Sequence, residues 1–444
     1  LYEAGMDIVR LNMSHATRDS AARVIGWVKT LNRKVKYPVP ILLDTQGPEI
    51  RTGDLPTALN LATGDIISLS VRDEASVEET SIHVNYEELV DAVDIGDRIT
   101  VDNVLINLEI LSKKGATLTC KVLDGGILGS QRHVNLPGIR VNLPAITEKD
   151  VKDIEFGIAQ QVDFIALSFV RRPEDVIELK ELLRHKANKI KIIAKIEDAE
   201  GVANLEEIVR VADGVMVARG DLGVEIDLAD LPNVQRRIVR TCCERGRRVI
   251  VATHLLESMI SNPIPTRAEV TDVANAVYEE VDAVMLSGET SIGKYPARCV
   301  EQLDRIARTS EQFPGLDFTA ALELDSDKQQ LAFSAVRLAE SLGARAVVVI
   351  TRRGFMADHV TNCHPQRARI YAFTNDSQTR RRLMMNRNLV SHRTAFSSDP
   401  EKTLQTAFKV MKDREAFEVG EKVVVISDVI AGSGIDAIQI RPIP

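Results

Sequence analysis

The sequence predicts an α/β protein built on parallel strands, with an antiparallel β domain inserted into it and a C-terminal three-layer α/β domain after it. Three observations carry that prediction. Seven short Val- and Ile-rich runs, apolar almost throughout, recur along the chain, and such runs read as parallel strands buried on both faces. Helix-period stretches lie between several of them, giving repeated βα units and either a barrel or a doubly wound sheet. Between the second and third runs the pattern changes to short alternating segments separated by Gly, Pro, Asn and Asp turns, as antiparallel strands require.

In order, the runs are Asp7–Asn12, Val39–Asp44, Val162–Ser168, Ile190–Lys195, Asp213–Ala218, Arg248–Thr253 and Val281–Ser287. Helices are predicted over Pro173–His185, Gly201–Val211 and Val234–Gly246. The inserted domain is placed at 54–142, with strands such as Asp65–Val71, Asp97–Val101 and Ala116–Val122. From 315 to 444 the chain alternates helix (Gln329–Leu342), strand (Ala344–Thr351), helix, strand (Ala368–Phe373), helix, strand, helix (Pro400–Arg414) and strand (Glu421–Ser427). The stretches 1–53 and 143–314 together hold roughly 225 residues against about 250 for a (β/α)8 TIM barrel, so the count favours such a barrel less one βα unit. Its first strand is expected to be missing from this chain, which opens on what reads as the tail of a helix.

Composition bounds the function. At about 150 residues per domain, 444 residues give about three domains, and 44% hydrophobic with 27% charged residues describes a chain with several cores rather than a disordered one. A net charge of −8 is the wrong sign for a protein that grips nucleic acid, and 4% aromatics supply few stacking platforms. Five scattered cysteines without a Cys-x-x-Cys pair read as reduced thiols, and no apolar run reaches the length of a membrane span. A soluble, cytoplasmic protein is expected.

In a barrel the active site lies at the carboxyl ends of the strands. Those ends are polar here: Arg10, Asn12, Ser14 and His15; Asp44, Thr45 and Gln46, with Glu49 and Arg51 beyond the turn; Ser168; Lys195 and Glu197; Arg219, Gly220 and Asp221; Thr253; and Ser287 with Glu289. Glu197 and Asp221, from neighbouring strands, suit one hard divalent ion that keeps open positions, as Mg2+ is usually held. Beside them Lys195 is a compact cation for charge that builds on a phosphoryl oxygen or an enolate. Asn12, Ser14, Asp44 and Thr45 form an oxygen nest for a monovalent cation or for a phosphate-binding Arg. Together Arg10, Arg51, Lys195 and Arg219 make a local basic cluster where phosphate should bind. His15 and His254 read as wall residues rather than bases.

These segments make a family recognisable. Val9-Arg-Leu-Asn-Met-Ser-His15, Leu43-Asp-Thr-Gln-Gly-Pro-Glu-Ile-Arg-Thr-Gly53, Ala194-Lys-Ile-Glu197, Met216-Val-Ala-Arg-Gly-Asp-Leu-Gly-Val-Glu225, Ala252-Thr-His-Leu-Leu-Glu-Ser-Met259 and Met285-Leu-Ser-Gly-Glu-Thr290 resemble pyruvate kinases, in order and over nearly the whole length. The resemblance implies transfer of a phosphoryl group from phosphoenolpyruvate to ADP, giving pyruvate and ATP, dependent on Mg2+ and K+, in a homotetramer. It implies Lys195 at the transferring group, Mg2+ on Glu197 and Asp221, the substrate carboxylate on amides near Gly220 and Asp221, and Thr253 in the proton relay to the enolate carbon. Arg10 and Arg51 would meet phosphates, with His15 and Asn12 near the nucleotide, and Asn12, Ser14, Asp44 and Thr45 match the family's K+ ligands. Glu49 resembles the potassium-requiring members. The chain departs from the family at His254, at Asp102-Asn-Val104 and Gln131-Arg-His133 in the inserted domain, and at Thr351-Arg-Arg-Gly-Phe-Met-Ala357. In that last loop, fewer hydroxyls imply an altered or absent sugar-phosphate effector. The competing readings are an Mg2+-dependent pyruvate/enolate lyase, which needs no nucleotide site, and a catalytically silent metabolite-sensing paralogue.

Overall fold

The computed structural model describes residues 1–71, 81–102, 105–139, 143–184, 189–427 and 437–444. Strands β1 (Val9–Asn12) and β2 (Ile41–Asp44) open the chain. There follow β3 (Leu59–Leu61), β4 (Ile66–Ser70), β5 (Ser81–His83), β6 (Arg98–Val101), β7 (Ile106–Lys114), β8 (Thr117–Asp124), β9 (Gly126–Leu128) and β10 (Val134–Asn135). Then come β11 (Phe164–Leu167), β12 (Lys191–Ile196), β13 (Gly214–Ala218), β14 (Arg248–Ala252) and β15 (Ala283–Met285). The last group is β16 (Ala346–Ile350), β17 (Arg369–Thr374), β18 (Leu389–Arg393), β19 (Lys422–Ser427) and β20 (Ala437–Pro442).

The seven apolar runs form one parallel sheet in the order β1-β2-β11-β12-β13-β14-β15, with β1 and β15 as its edges. Its side chains alternate between two cores. Leu42, Phe164, Ala166, Ile193, Met216, Ile250 and Ala252 fill the concave interior, while Leu43, Ile165, Leu167, Ile192, Ala194, Val215, Val217, Val249 and Val251 pack outward against the helices. The predicted helices are found at Pro173–Leu183 and Leu231–Glu244. The helix predicted over Gly201–Val211 is broken in two at Asn204, whose Nδ2 donates to Arg171 O.

The inserted segment forms a six-stranded sheet, β10-β6-β7-β8-β4-β5, and a β3–β9 ribbon around its own core of residues such as Leu69, Ile99 and Leu108. It is antiparallel as expected except at β4–β5, which pair in parallel. The C-terminal sheet runs β18-β17-β16-β19-β20, parallel but for β19–β20. Val347 and Val349 face one helix layer, and Ala346, Val348 and Ile350 face the helix Pro400–Glu415 on the other, which makes three layers.

Candidate active site

Strand register explains why the site residues converge. Arg10 pairs with Leu42 and Asn12 with Asp44, while Ala166 pairs with Asp44 and Lys195 with Met216. Leu42, Ala166 and Met216 point into the concave interior, so Arg10, Asn12, Asp44 and Lys195 share that inward register, and Glu197 follows Lys195 by two. Inward positions near the strand starts are apolar core; at the strand ends they become polar and form one ring.

Lys195 is the centre of that ring. Its Nζ lies 2.7 Å from Ser168 Oγ, 2.9 Å from Glu197 Oε1 and 3.1 Å from Asp44 Oδ1. Burial alone would push its pKa down, but Asp44 and Glu197 outweigh burial and hold it above the usual lysine value. The Asp44 carboxylate is fully buried, and Arg10 Nε donates to its Oδ2 at 2.5 Å. Burial opposes its charge, yet Lys195 and Arg10 keep the pKa below the ordinary aspartate range.

Glu197 behaves oppositely. Burial, reinforced by the charge of Asp221, pushes it up to about 7 despite Lys195 and the Phe169 N–H that donates to Oε2 at 2.6 Å. Asp221 lies within hydrogen-bonding reach of Glu197 and is raised by the same burial. Two buried carboxylates, each resisting ionisation beside the other, are a donor pair that a hard divalent cation would relieve. Among the described residues no group of three or more His, Cys, Asp or Glu side chains is placed to hold a metal, so Glu197 and Asp221 stand as a two-carboxylate set.

On the next strand end, Thr253 and His254 both have positive φ, 75° and 57°. For a β-branched residue such as Thr253 this is strained backbone, of the kind that concentrates at functional sites. Arg219 holds it there: its guanidinium donates to Thr253 O at 2.6 Å and to Asp272 Oδ1 at 2.7 Å. The sequence placed Arg219 in the phosphate-binding cluster; the structure instead buries it at the β14 end, where its partners are the carbonyls of Ala252 and Thr253 and the Asp272 carboxylate. A Cβ on Gly220 would come within 3.0 Å of Thr253 Cγ2, so the glycine lets the 219–221 backbone approach the threonine. Gly220 and Asp221 open the helix Arg219–Glu225, whose first-turn amides have no intrahelical acceptor. His254 turns outward to Glu257, 3.3 Å away.

Of the remaining predicted residues, Thr45 is buried while Asn12, Ser14 and Arg51 are half-buried. Asn12 Oδ1 accepts from Ser14 N, Thr45 Oγ1 accepts from Ser168 N, and His15 is exposed. Arg51 is turned to Glu49 Oε2 and to Gln131 O of the inserted unit. In the inserted unit, Arg132 pairs with Asp102 at 3.3 Å; Asn103 and Val104 lie outside the described residues. Sequence reasoning named Ser168 only as a strand end and missed Asp150, which accepts from Gln46 N and Gly47 N. Between the inserted unit and the barrel lies a cavity of about 650 Å³, walled by His133, Asn135, Phe169, Arg171 and Glu225 among others.

A barrel-type sheet with a lysine among carboxylates at its strand ends defines an enzyme that stabilises charge on a transferring group. The comparisons agree in kind. Residues 1–300 match the family model described as the pyruvate kinase barrel domain, and residues 329–440 match the pyruvate kinase alpha/beta domain. A pyruvate kinase of Clostridium perfringens is 38% identical, over 95% of this chain and 90% of its own length. One from Geobacillus stearothermophilus is 40% identical, over 97% and 75%, and pyruvate kinase isozyme G, chloroplastic, of Nicotiana tabacum is 40% identical, over 96% and 76%. The chain belongs to the pyruvate kinase family, whose glycolytic phosphotransferase reaction moves the phosphoryl group of phosphoenolpyruvate to ADP.

Proposed function

We propose that this reaction is carried out at the ring around Lys195, and the observation that carries the reading is the convergence of Lys195, Asp44, Glu197 and Ser168 on one inward register. Lys195 supplies fixed positive charge to the phosphoryl group in transfer and to the enolate oxygen it leaves, in a site dry enough for that charge to count. Backbone amides at Gly220 and Asp221 take the substrate carboxylate. Thr253 closes a relay that delivers a proton, through water, to the enolate carbon, because an alkanol is too weak an acid to act alone. Arg10 and Arg51 receive phosphate oxygens, and Asn12 and His15 border the nucleotide.

Glu197 and Asp221 would hold Mg2+, and Asn12, Ser14, Asp44 and Thr45, three neutral oxygen donors and a carboxylate, would hold K+; when bound, the two ions supply charge neutralisation at the reacting oxygens. The inserted unit acts as a lid that excludes water on closure. A cytoplasmic setting is supported by five free cysteines. Among the described residues no helix is long and apolar enough to cross a membrane. A homotetramer is proposed on family resemblance alone.

The test is a coupled assay for pyruvate from phosphoenolpyruvate and ADP, with and without Mg2+ and K+. We expect ADP-dependent turnover that needs both ions, and Lys195→Met to lower kcat by roughly 10²–10³-fold. Full activity in that variant would overturn the role given to Lys195, and pyruvate formation independent of ADP would favour the lyase.

A further inference from the structure

The chain enters the inserted unit through residues 50–52 and leaves it through 132–134, and the two crossings run side by side. Val134 N donates to Ile50 O and Thr52 N to Arg132 O, each at 2.8 Å. Side chains alternate along the outgoing crossing: Val134 and Leu136 turn into the core of the inserted unit, so Asn135 between them faces the other way. There its Nδ2 donates to Glu225 Oε1 at 2.9 Å, across 90 positions of sequence. Both residues line the cavity between the inserted unit and the barrel.

This contact is made in costly surroundings. Asn135 is only 5% exposed and its Oδ1 is buried with no partner, so the amide is half satisfied, through Glu225. A leucine would fill similar space without burying an unpaired acceptor, and packing therefore does not account for an asparagine here. Glu225 is equally ill placed for a charge. Burial is the main cause that raises its pKa, Asp198 and Asp221 add to it, and the hydrogen bond from Asn135 opposes them. Among the described residues no Lys or Arg forms an ion pair with Glu225.

Glu225 is the last residue of the helix Arg219–Glu225. At the other end Arg219 is anchored to Thr253 O and Asp272, and Leu222 in the middle is packed in the barrel core. Gly220 and Glu225 are about 8 Å apart along this helix, at 1.5 Å per residue. We propose that Asn135 and Glu225 are positioning residues: their hydrogen bond ties the crossing on which the inserted unit turns to the helix whose first amides take the substrate carboxylate. Closure of the lid and the setting of those amides are then one movement. This consequence rests on the lid and carboxylate roles proposed above; the tether itself does not. Without the contact the helix keeps its Arg219 anchor and loses its hold on the lid. Phosphoenolpyruvate should bind less well, while ADP, whose proposed neighbours Arg51, Asn12 and His15 lie on other elements, should not.

Steady-state kinetics and amide hydrogen exchange on the full chain test it. We expect Glu225→Ala and Asn135→Ala each to raise KM for phosphoenolpyruvate roughly ten-fold, the worth of one charge-assisted hydrogen bond, and to move KM for ADP by less than about two-fold. Glu225→Gln still offers Oε1 to Asn135 Nδ2 and should recover most of the loss. The double alanine variant should be no worse than either single one, because both remove the same contact. Without substrate, Asn135→Ala should speed exchange in residues 219–226 roughly ten-fold. Glu225 is half-buried, so if Asn135→Ala fails to fold, Glu225→Ala serves, with exchange read at residues 132–136.

Unchanged exchange overturns the tether. Faster exchange with KM for phosphoenolpyruvate unmoved keeps the tether and overturns its part in substrate binding. Additive losses, or equal rises in both Michaelis constants, would mean that the variants only weaken the fold, and overturn the positioning role. Full activity in Lys195→Met would instead sink the proposed active site and leave the exchange result standing, so the two failures are told apart.

Discussion

Ser168 stands between the two halves of the charge network: its Oγ accepts from Lys195 Nζ at 2.7 Å and donates to Thr45 O at 2.7 Å. The hydroxyl therefore fixes where the lysine's charge points while satisfying a buried carbonyl. Ser168→Ala should cost about 1–3 kcal/mol, because both partners lose a buried hydrogen bond. As a positioning residue it should lower kcat more than it raises KM, with Ser168→Thr recovering part of the rate. Unchanged kcat in the alanine variant, measured alongside denaturant midpoints, would remove Ser168 from the mechanism. The sequence showed Ser168 as one more polar strand end. What singles it out is its contact with Lys195, 27 residues away, and that contact depends on register between β11 and β12, which no local pattern encodes. Arg219 teaches the reverse lesson: a basic residue at a strand end looks like a phosphate ligand until its partners, Asp272 and the Thr253 carbonyl, are known.

At the scale of elements, the strands were legible and their fastenings were not. Seven apolar runs sufficed to place the barrel sheet, since buried parallel strands must be apolar on both faces. Its base, however, is fastened by a repeated device that apolar pattern does not reveal. Asp163, Asp213 and Asp282 each precede a strand and accept from the backbone of the neighbouring one, at Ile41 N, Ile192 N and Val249 N, while holding Arg381, Lys191 and Arg248 respectively. At the active end the turn after β2 is fastened by Asp150 through Gln46 N and Gly47 N. Gly47 has φ 75°, and a Cβ there would come within 2.8 Å of Ser168 Cβ and 2.9 Å of Phe169 Cδ2. Gly47→Ala should therefore cost about 1–3 kcal/mol and displace the segment that carries Ser168, lowering turnover. Gly343→Ala is the control: φ is 60° there but nothing lies within 4 Å, so it should cost only about 1 kcal/mol, with activity intact. Equal losses in the two variants would show that the clash with Ser168 and Phe169 does not matter.

For the whole molecule, the barrel and the C-terminal unit are joined by contacts between residues hundreds of positions apart, so a reading of local patterns finds two separate regions and no seam between them. Met385 inserts among the interior barrel residues Phe164, Ile193 and Met216, Arg381 reaches Asp163, and Lys36 and Tyr37 reach Glu415. At this last contact His392 is buried against Phe373, Tyr371 and Tyr37, with Nε2 3.0 Å from Glu415 Oε1. Burial is the main cause that lowers its pKa to about 4; Glu415 opposes this, and Arg380, Arg414 and Lys36 add to it. The unfolded chain takes up that proton near pH 6.5, the folded chain only near 4, so between those values the unfolded state binds more protons. Stability should thus be fully present above about pH 6.5 and fall as the pH drops toward 4, by up to about 3 kcal/mol from this one group. His392→Phe keeps an aromatic ring in the packed site and removes the titration. Denaturant midpoints measured from pH 7 to pH 4.5 should therefore fall more steeply for the wild type than for the variant. Parallel curves would mean that His392 accepts its proton in the folded protein as readily as in water, and that the seam does not hold it neutral.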